Sequence, residues 1–157
     1  LRMIKSRHIY NSRSYRYVEI LSFLDKYGLA DDFRDMIVLD AIILNTDRHF
    51  GNFGFIVDND TFKIKSFAPV FDHNMALLAR GMNNTLEDDA NYVKSLGHKI
   101  GSDFITVAKN MLTNQTKRKL HELQDFTFTP HKSYNLPKKR LKFLSNLLRS
   151  QIREILS

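Results

Sequence analysis

Residues 45–52 have the sequence NTDRHFGN, and residues 68–74 have the sequence APVFDHN. The first stretch places Asp47 five residues before Asn52, and the second places Asp72 after a short apolar run. In kinase-type phosphoryl transfer, one carboxylate orients or deprotonates the attacking hydroxyl, while an asparagine and a second aspartate hold Mg²⁺ against the nucleotide phosphates. The spacing of these three side chains therefore predicts a phosphoryl-transfer site.

A buried helix is predicted directly before the first stretch. From Asp31 or Asp32, either of which can cap the helix, to Leu44, apolar residues fall on most sides of the helix. Asp40 lies within it, and a buried carboxylate needs a partner. Two partners remain open for Asp40: the polar loop that follows, or a neighbouring backbone group, which is the more common arrangement.

A β-hairpin is predicted directly after the loop, with strands at residues 53–57 and 62–67. The intervening Asp58 and Asp60 resemble part of a calcium-binding loop, but the glycine and the distal glutamate of that pattern are missing. We therefore interpret this segment as a hairpin turn. The hairpin returns the chain, so that Asp72 can face the loop that holds Asp47 and Asn52.

Helices are predicted for most of the remaining chain, at residues 17–27, 102–112, 116–123 and 136–156. Residues 1–16 and 91–101 receive no assignment, and residues 81–89 are predicted to form a flexible loop. The expected fold is a single domain of residues 1–157, mainly α-helical with a small β-hairpin.

Composition is that of an ordinary globular protein. The chain has 157 residues, of which 43% are hydrophobic and 26% charged, so it can bury a core and is not a disordered segment. The absence of cysteine excludes disulfides and thiolate zinc sites and fits a cytoplasmic location. No apolar run approaches the roughly 20 residues that a membrane-spanning helix requires, so no membrane association is expected.

The net charge of +7 is concentrated at the C-terminal end. Residues 1–116 contain 14 Lys and Arg and 14 Asp and Glu, whereas residues 117–157 contain 10 and 3. Such a basic segment can attract nucleic acid or an acidic protein, which would make the chain a non-catalytic binding domain. We favour the simpler interpretation that these cations solvate the outer faces of amphipathic helices, because no aromatic residues alternate with them as in single-strand binders.

The pattern NTDRHxxNFG at residues 45–54, followed by APVFD at residues 68–72, resembles the C-terminal domain of HipA-like serine/threonine kinases. These kinases are bacterial toxins of toxin–antitoxin pairs and their relatives. Phosphoinositide kinases carry a similar Asp-Arg-His-x-x-Asn loop, so a lipid or small-molecule kinase is the enzymatic alternative. The APVFD segment favours the HipA family.

The resemblance implies a role for each residue that matches the motif. Asp47 would be the catalytic base, and Asn52 and Asp72 would bind Mg²⁺ and the phosphates of ATP. His49 would lie near the γ-phosphate, and a hydrogen-bonded structural role within the loop is nearly as well supported. For Arg48 we favour a structural pairing with Asp40 over a contact with phosphate, because the family pattern does not demand arginine there.

The resemblance also implies the fold and the partners of the chain. It would be the C-terminal, helical lobe of a protein-kinase-like fold, acting on a protein serine or threonine, with an antitoxin protein as partner. A complete kinase also needs a β-rich lobe with a phosphate-covering loop and a lysine. No glycine-rich loop or five-stranded sheet is predicted here, and the chain begins with Leu1. We therefore expect a fragment that lacks the nucleotide-gripping lobe and does not turn over ATP by itself.

Overall fold

The computed structural model describes residues 2–5, 17–79, 92–93, 95–99 and 103–157. Within these ranges the chain forms five helices and one small antiparallel sheet, so a mainly helical fold with a small β-element is confirmed. In chain order the elements are β1 (Arg2–Lys5), α1 (Tyr17–Asp25), α2 (Ala30–Ile43), β2 (Gly54–Val57), β3 (Ile64–Phe67), α3 (Phe104–Met111), α4 (Asn114–Glu122) and α5 (Lys138–Leu156). The loop predicted at residues 81–89 lies outside the described residues.

Helix α2 is the centre of the core and packs against α1, α3 and α5. Its buried positions lie on several sides of the helix, as predicted: Phe33, Met36, Ile37, Val38, Ala41 and Ile42. The ring of Phe53, just before β2, lies 5.5 Å from that of Phe33 and stacks on Phe67 of β3 at 6.0 Å. These aromatic contacts attach the hairpin to α2, and thereby fix both ends of the loop between them.

The predicted hairpin is present but belongs to a three-stranded sheet in the order β1-β2-β3. A hairpin alone was therefore an incomplete prediction, since β1 pairs antiparallel with β2 and places Lys5 opposite Gly54. Glycine is required at that position because a Cβ on Gly54 would lie 2.1 Å from the carbonyl oxygen of Ile4.

The segment between β2 and β3 is a hairpin turn, as predicted. The Oδ1 atom of Asp58 accepts hydrogen bonds from the backbone N–H groups of Asp60 and Thr61 and from the Thr61 hydroxyl. Phe62 then adopts a left-handed conformation with φ of 56°. The Asp58 carboxylate is therefore used to close its own turn.

The C-terminal helices begin at side-chain caps or at proline. Asp103 caps α3 by accepting a hydrogen bond from Thr106 N–H at 2.8 Å, so that this helix begins at Phe104, two residues after the predicted start. Thr113 caps α4 in the same way, so that this helix begins at Asn114, two residues before the predicted start. Helix α5 follows Pro137 and buries apolar residues at helical spacing: Leu144, Leu148, Ile152 and Ile155. Among the described residues, no helix is both long and apolar enough to cross a membrane.

Candidate active site

The loop at residues 45–52 begins where α2 is brought to an abrupt end. Leu44 adopts a left-handed conformation with φ of 54°, and its N–H donates to the carbonyl oxygen of Asp40. The N–H of Asn45 donates to the same oxygen at 2.8 Å. This cap turns the backbone out of α2, which is buried. The loop therefore starts from a fixed point and in a fixed direction.

Asp40 and Arg48 form a fully buried ion pair beneath the loop. The Nε atom of Arg48 donates to Oδ2 of Asp40 at 2.7 Å, and a terminal nitrogen donates to Oδ1 at 2.9 Å. The Asn45 amide donates to Oδ1 as well, at 2.9 Å. Both charged side chains are 0% exposed. The predicted structural role of Arg48 is confirmed. Asp40 is bound by side chains of the loop that follows its helix, which was one of the two partners left open for it.

The pKa of Asp40 reflects this environment. Burial by itself would raise it, but the hydrogen bonds and charge of Arg48, the neighbouring His98 imidazole and the hydrogen bond from Asn45 outweigh burial. The result is a pKa below its usual value of 3.8, so Asp40 is a carboxylate at neutral pH.

Arg48 also joins the loop to the segment after β3. Its guanidinium donates to the backbone carbonyl oxygens of Asn52 and of Phe71, the latter at 2.8 Å. A terminal nitrogen lies 3.1 Å from Nε2 of His73. Because arginine can only donate, Nε2 is the acceptor in this contact. We call this set, Arg48 with Asp40, the two carbonyl oxygens and His73, the Arg48 clamp.

Asp47 is presented at the surface of the loop by its own backbone. Its N–H donates to the side-chain oxygen of Asn45 at 3.3 Å, and its carbonyl oxygen accepts from the Asn52 amide at 3.0 Å. The carboxylate is 36% exposed, and its Oδ1 lies 2.6 Å from Nζ of Lys99. Asp47 is therefore held in place through its backbone, while its carboxylate remains accessible to solvent.

His49 has a structural contact on one side of its ring and faces Asp47 on the other. Nδ1 accepts a hydrogen bond from the N–H of Gly51 at 2.9 Å, and Nε2 lies 3.9 Å from Oδ2 of Asp47. A Cβ on Gly51 would lie 2.8 Å from the imidazole, so the loop requires glycine there if this ring position is to be kept. Of the two roles considered for His49, the structural one is visible, and the contact with phosphate stays a prediction.

Asn52 is 3% exposed, and its amide nitrogen is committed to the carbonyl oxygen of Asp47. Its Oδ1 is the side-chain atom with the chemistry to coordinate a cation, and an amide oxygen is a hard ligand that suits Mg²⁺. The predicted role of Asn52 as a metal ligand would fall to this oxygen, and it stays a prediction.

Asp72 lies between the two residues that the Arg48 clamp holds, Phe71 and His73. Its backbone is left-handed, with φ of 61°, and its side chain is exposed. Within the described ranges, no hydrogen bond or ion pair joins its carboxylate to Asp47 or Asn52. The clamp thus brings the backbone of Asp72 to the loop, whereas the predicted role of its carboxylate as a metal ligand stays a prediction.

The described part of the chain contains no cluster of three or more His, Asp or Glu side chains placed to hold a metal ion. The predicted metal site needs none, because Mg²⁺ in kinase sites is usually held by one or two protein ligands together with waters and substrate phosphates. Asn52 and Asp72 would supply those two oxygen ligands.

Two residues near the site were missed by the sequence analysis. His98 is buried with Nε2 3.7 Å from Oδ2 of Asp40, and Lys99 pairs with Asp47. Both belong to the segment at residues 91–101, where no periodic pattern predicted an element.

Comparison of the chain with family models, with characterised proteins and with solved structures finds no match.

Proposed function

We propose that residues 1–157 form the catalytic lobe of an ATP- and Mg²⁺-dependent serine/threonine protein kinase of the HipA type. The observation that supports this best is the Arg48 clamp. One buried guanidinium joins the loop that carries Asp47 and Asn52 to the segment that carries Asp72, across 23 residues of chain. A site for phosphoryl transfer depends on such fixed positioning of its charged groups.

Each residue has a defined task in the proposed reaction. Asp47 accepts the proton of a serine or threonine hydroxyl, whose oxygen bonds to the γ-phosphorus of ATP. The bond from that phosphorus to the bridging oxygen breaks, and its electron pair leaves with ADP. Asn52 and Asp72 would hold Mg²⁺, which neutralises phosphate charge when bound. An antitoxin protein as partner and a cytoplasmic location, where ATP is available, belong to the same proposal.

Phosphate transfer by the natural polypeptide is the experiment that tests this function. Incubated with ATP labelled at the γ-phosphate and Mg²⁺, it should label protein serine or threonine, its own or that of an added protein mixture. Chelation of Mg²⁺ should abolish the labelling, and phosphoamino-acid analysis identifies the acceptor. Labelling of lipids alone would replace the protein kinase by a lipid kinase, and no labelling of any acceptor would contradict the proposal.

A further inference from the structure

The contact between Lys99 and Asp47 joins two parts of the chain that are 52 residues apart. Nζ of Lys99 lies 2.6 Å from Oδ1 of Asp47, with the side chains 51% and 36% exposed. An ion pair of this exposure contributes little to stability, typically about 0–1 kcal/mol. Stability alone is therefore a weak reason for a cation at this position.

The backbone that leads into Lys99 is anchored in the protein interior. The preceding residue, His98, is 4% exposed, and its ring packs edge-on against that of Phe104 at 5.8 Å. Nε2 of His98 lies 3.7 Å from Oδ2 of Asp40, the carboxylate that also binds Arg48. Asp40, which binds Arg48 of the loop, therefore also contacts His98, the residue next to Lys99.

A second pair in the same molecule provides a comparison. Lys119 and Asp35 are also 2.6 Å apart, with the same exposures of 51% and 36%. Asp35 lies on α2, and its other carboxylate oxygen accepts from Thr116 on α4. The pair of Lys119 and Asp35 therefore links two helices. The pair of Lys99 and Asp47, in contrast, involves the carboxylate proposed to be catalytic.

We propose that Lys99 is a further catalytic residue of this site, one that binds the transferring phosphoryl group. The inference rests on the proposed function. In the nucleotide-free protein the ammonium group pairs with Asp47; with ATP bound, it transfers to oxygens of the γ-phosphate. This exchange frees the Asp47 carboxylate to accept the proton of the acceptor hydroxyl, because a carboxylate paired with a cation is a poorer base.

The charge balance of the step explains why a cation is needed there. As the new bond from the acceptor oxygen to phosphorus forms and the bond to ADP breaks, negative charge is spread over the phosphoryl oxygens and the leaving group. Lys99 keeps its proton throughout and stabilises this charge electrostatically. A donor that acts in the transition state contributes to kcat more than to substrate binding.

The test compares Lys99→Met, Lys99→Arg and Lys119→Met in the natural polypeptide. Lys99→Met should lower kcat for phosphoryl transfer on the order of 10²-fold, with the KM for ATP changed only a few-fold. Lys99→Arg, which keeps the charge, should recover part of the rate. Lys119→Met is the matched control, because it removes a pair of equal length and exposure, and it should leave kcat within about twofold of wild type.

The other outcomes overturn the inference in different ways. If wild type is active and Lys99→Met is equally active, Lys99 has no catalytic role. If Lys99→Met is faster than wild type, the pair with Asp47 is an inhibitory contact and the assignment is wrong. A wild-type protein that transfers no phosphate overturns the proposed function, and the inference about Lys99 with it. Thermal melting of the variants separates a loss of rate from a loss of fold.

Discussion

Replacing Asp40 by asparagine should lower the free energy of unfolding by about 3–5 kcal/mol. Asp40→Asn removes the only carboxylate that the described residues offer to Arg48 and leaves that guanidinium buried at 0% exposure without a counter-charge. Urea denaturation at neutral pH measures the change. The matched control is Asp35→Asn, which removes a half-exposed pair with Lys119 and should cost less than about 1 kcal/mol.

The pH dependence of the same variant supplies a second readout. The folded-state pKa of Asp40 is lowered, so its stabilising effect is complete above the usual value of 3.8 and is lost as the pH falls through the folded-state pKa. The difference in unfolding free energy between wild type and Asp40→Asn should therefore shrink as the pH is lowered below about 4. A small effect at neutral pH, or a difference that stays constant down to pH 3, would show that Asp40 does not hold Arg48 as a charged pair.

Sequence patterns predicted the parts of this fold that depend on local periodicity. Helix α2 is apolar on most of its sides and lies next to a polar loop, and the strands of the hairpin flank a turn, so both were predicted from local residue patterns. The need of Asp40 for a partner was predictable because it lies in an apolar helix, although a backbone partner was the more common alternative; the pairing itself was predicted from Arg48. These features are encoded within a few residues of each other.

The features that were missed depend on contacts between distant segments. Strand β1 has four residues, two of them basic, and its sequence has no strand pattern. It forms a strand because its backbone pairs with that of β2. Lys99 approaches Asp47 from 52 residues away, and no local pattern carries that information. The roles of the loop residues were predicted from their residue types and spacing and remain proposals. The clamp that joins the loop to Asp72 could not be predicted, because it depends on the backbone oxygens of Asn52 and Phe71.

Replacing Asp47 by asparagine should reduce phosphoryl transfer by about 10²–10⁴-fold, the usual contribution of a positioned general base. An amide of the same shape cannot accept the proton of the acceptor hydroxyl. The backbone hydrogen bonds of Asp47 to Asn45 and Asn52 do not involve its carboxylate, so Asp47→Asn should fold normally and still bind ATP. Turnover and nucleotide affinity are measured on the natural polypeptide.

Asp35→Asn is again the matched control for this loss of rate, because Asp35 has the same exposure as Asp47 and a lysine at the same distance. It should leave turnover close to wild type. Asp72→Ala should differ from Asp47→Asn by abolishing metal-dependent nucleotide binding as well, since Asp72 is assigned to the metal and not to the acceptor. Wild-type turnover in Asp47→Asn would rule out the role of base.

Asn52 and Asp72 should share one metal ion, and paramagnetic relaxation by Mn²⁺, in place of Mg²⁺, tests this most directly on the natural polypeptide with a non-hydrolysable ATP analogue bound, because substrate phosphates complete the ligands of the ion. We expect Mn²⁺ to broaden the side-chain amide signals of Asn52 and the backbone amide of Asp72 together. Excess Mg²⁺ should restore both signals, and Asp72→Ala should abolish the broadening at Asn52. If Mn²⁺ broadens signals only elsewhere, or if Asn52 is broadened equally in Asp72→Ala, the two residues do not form one metal site.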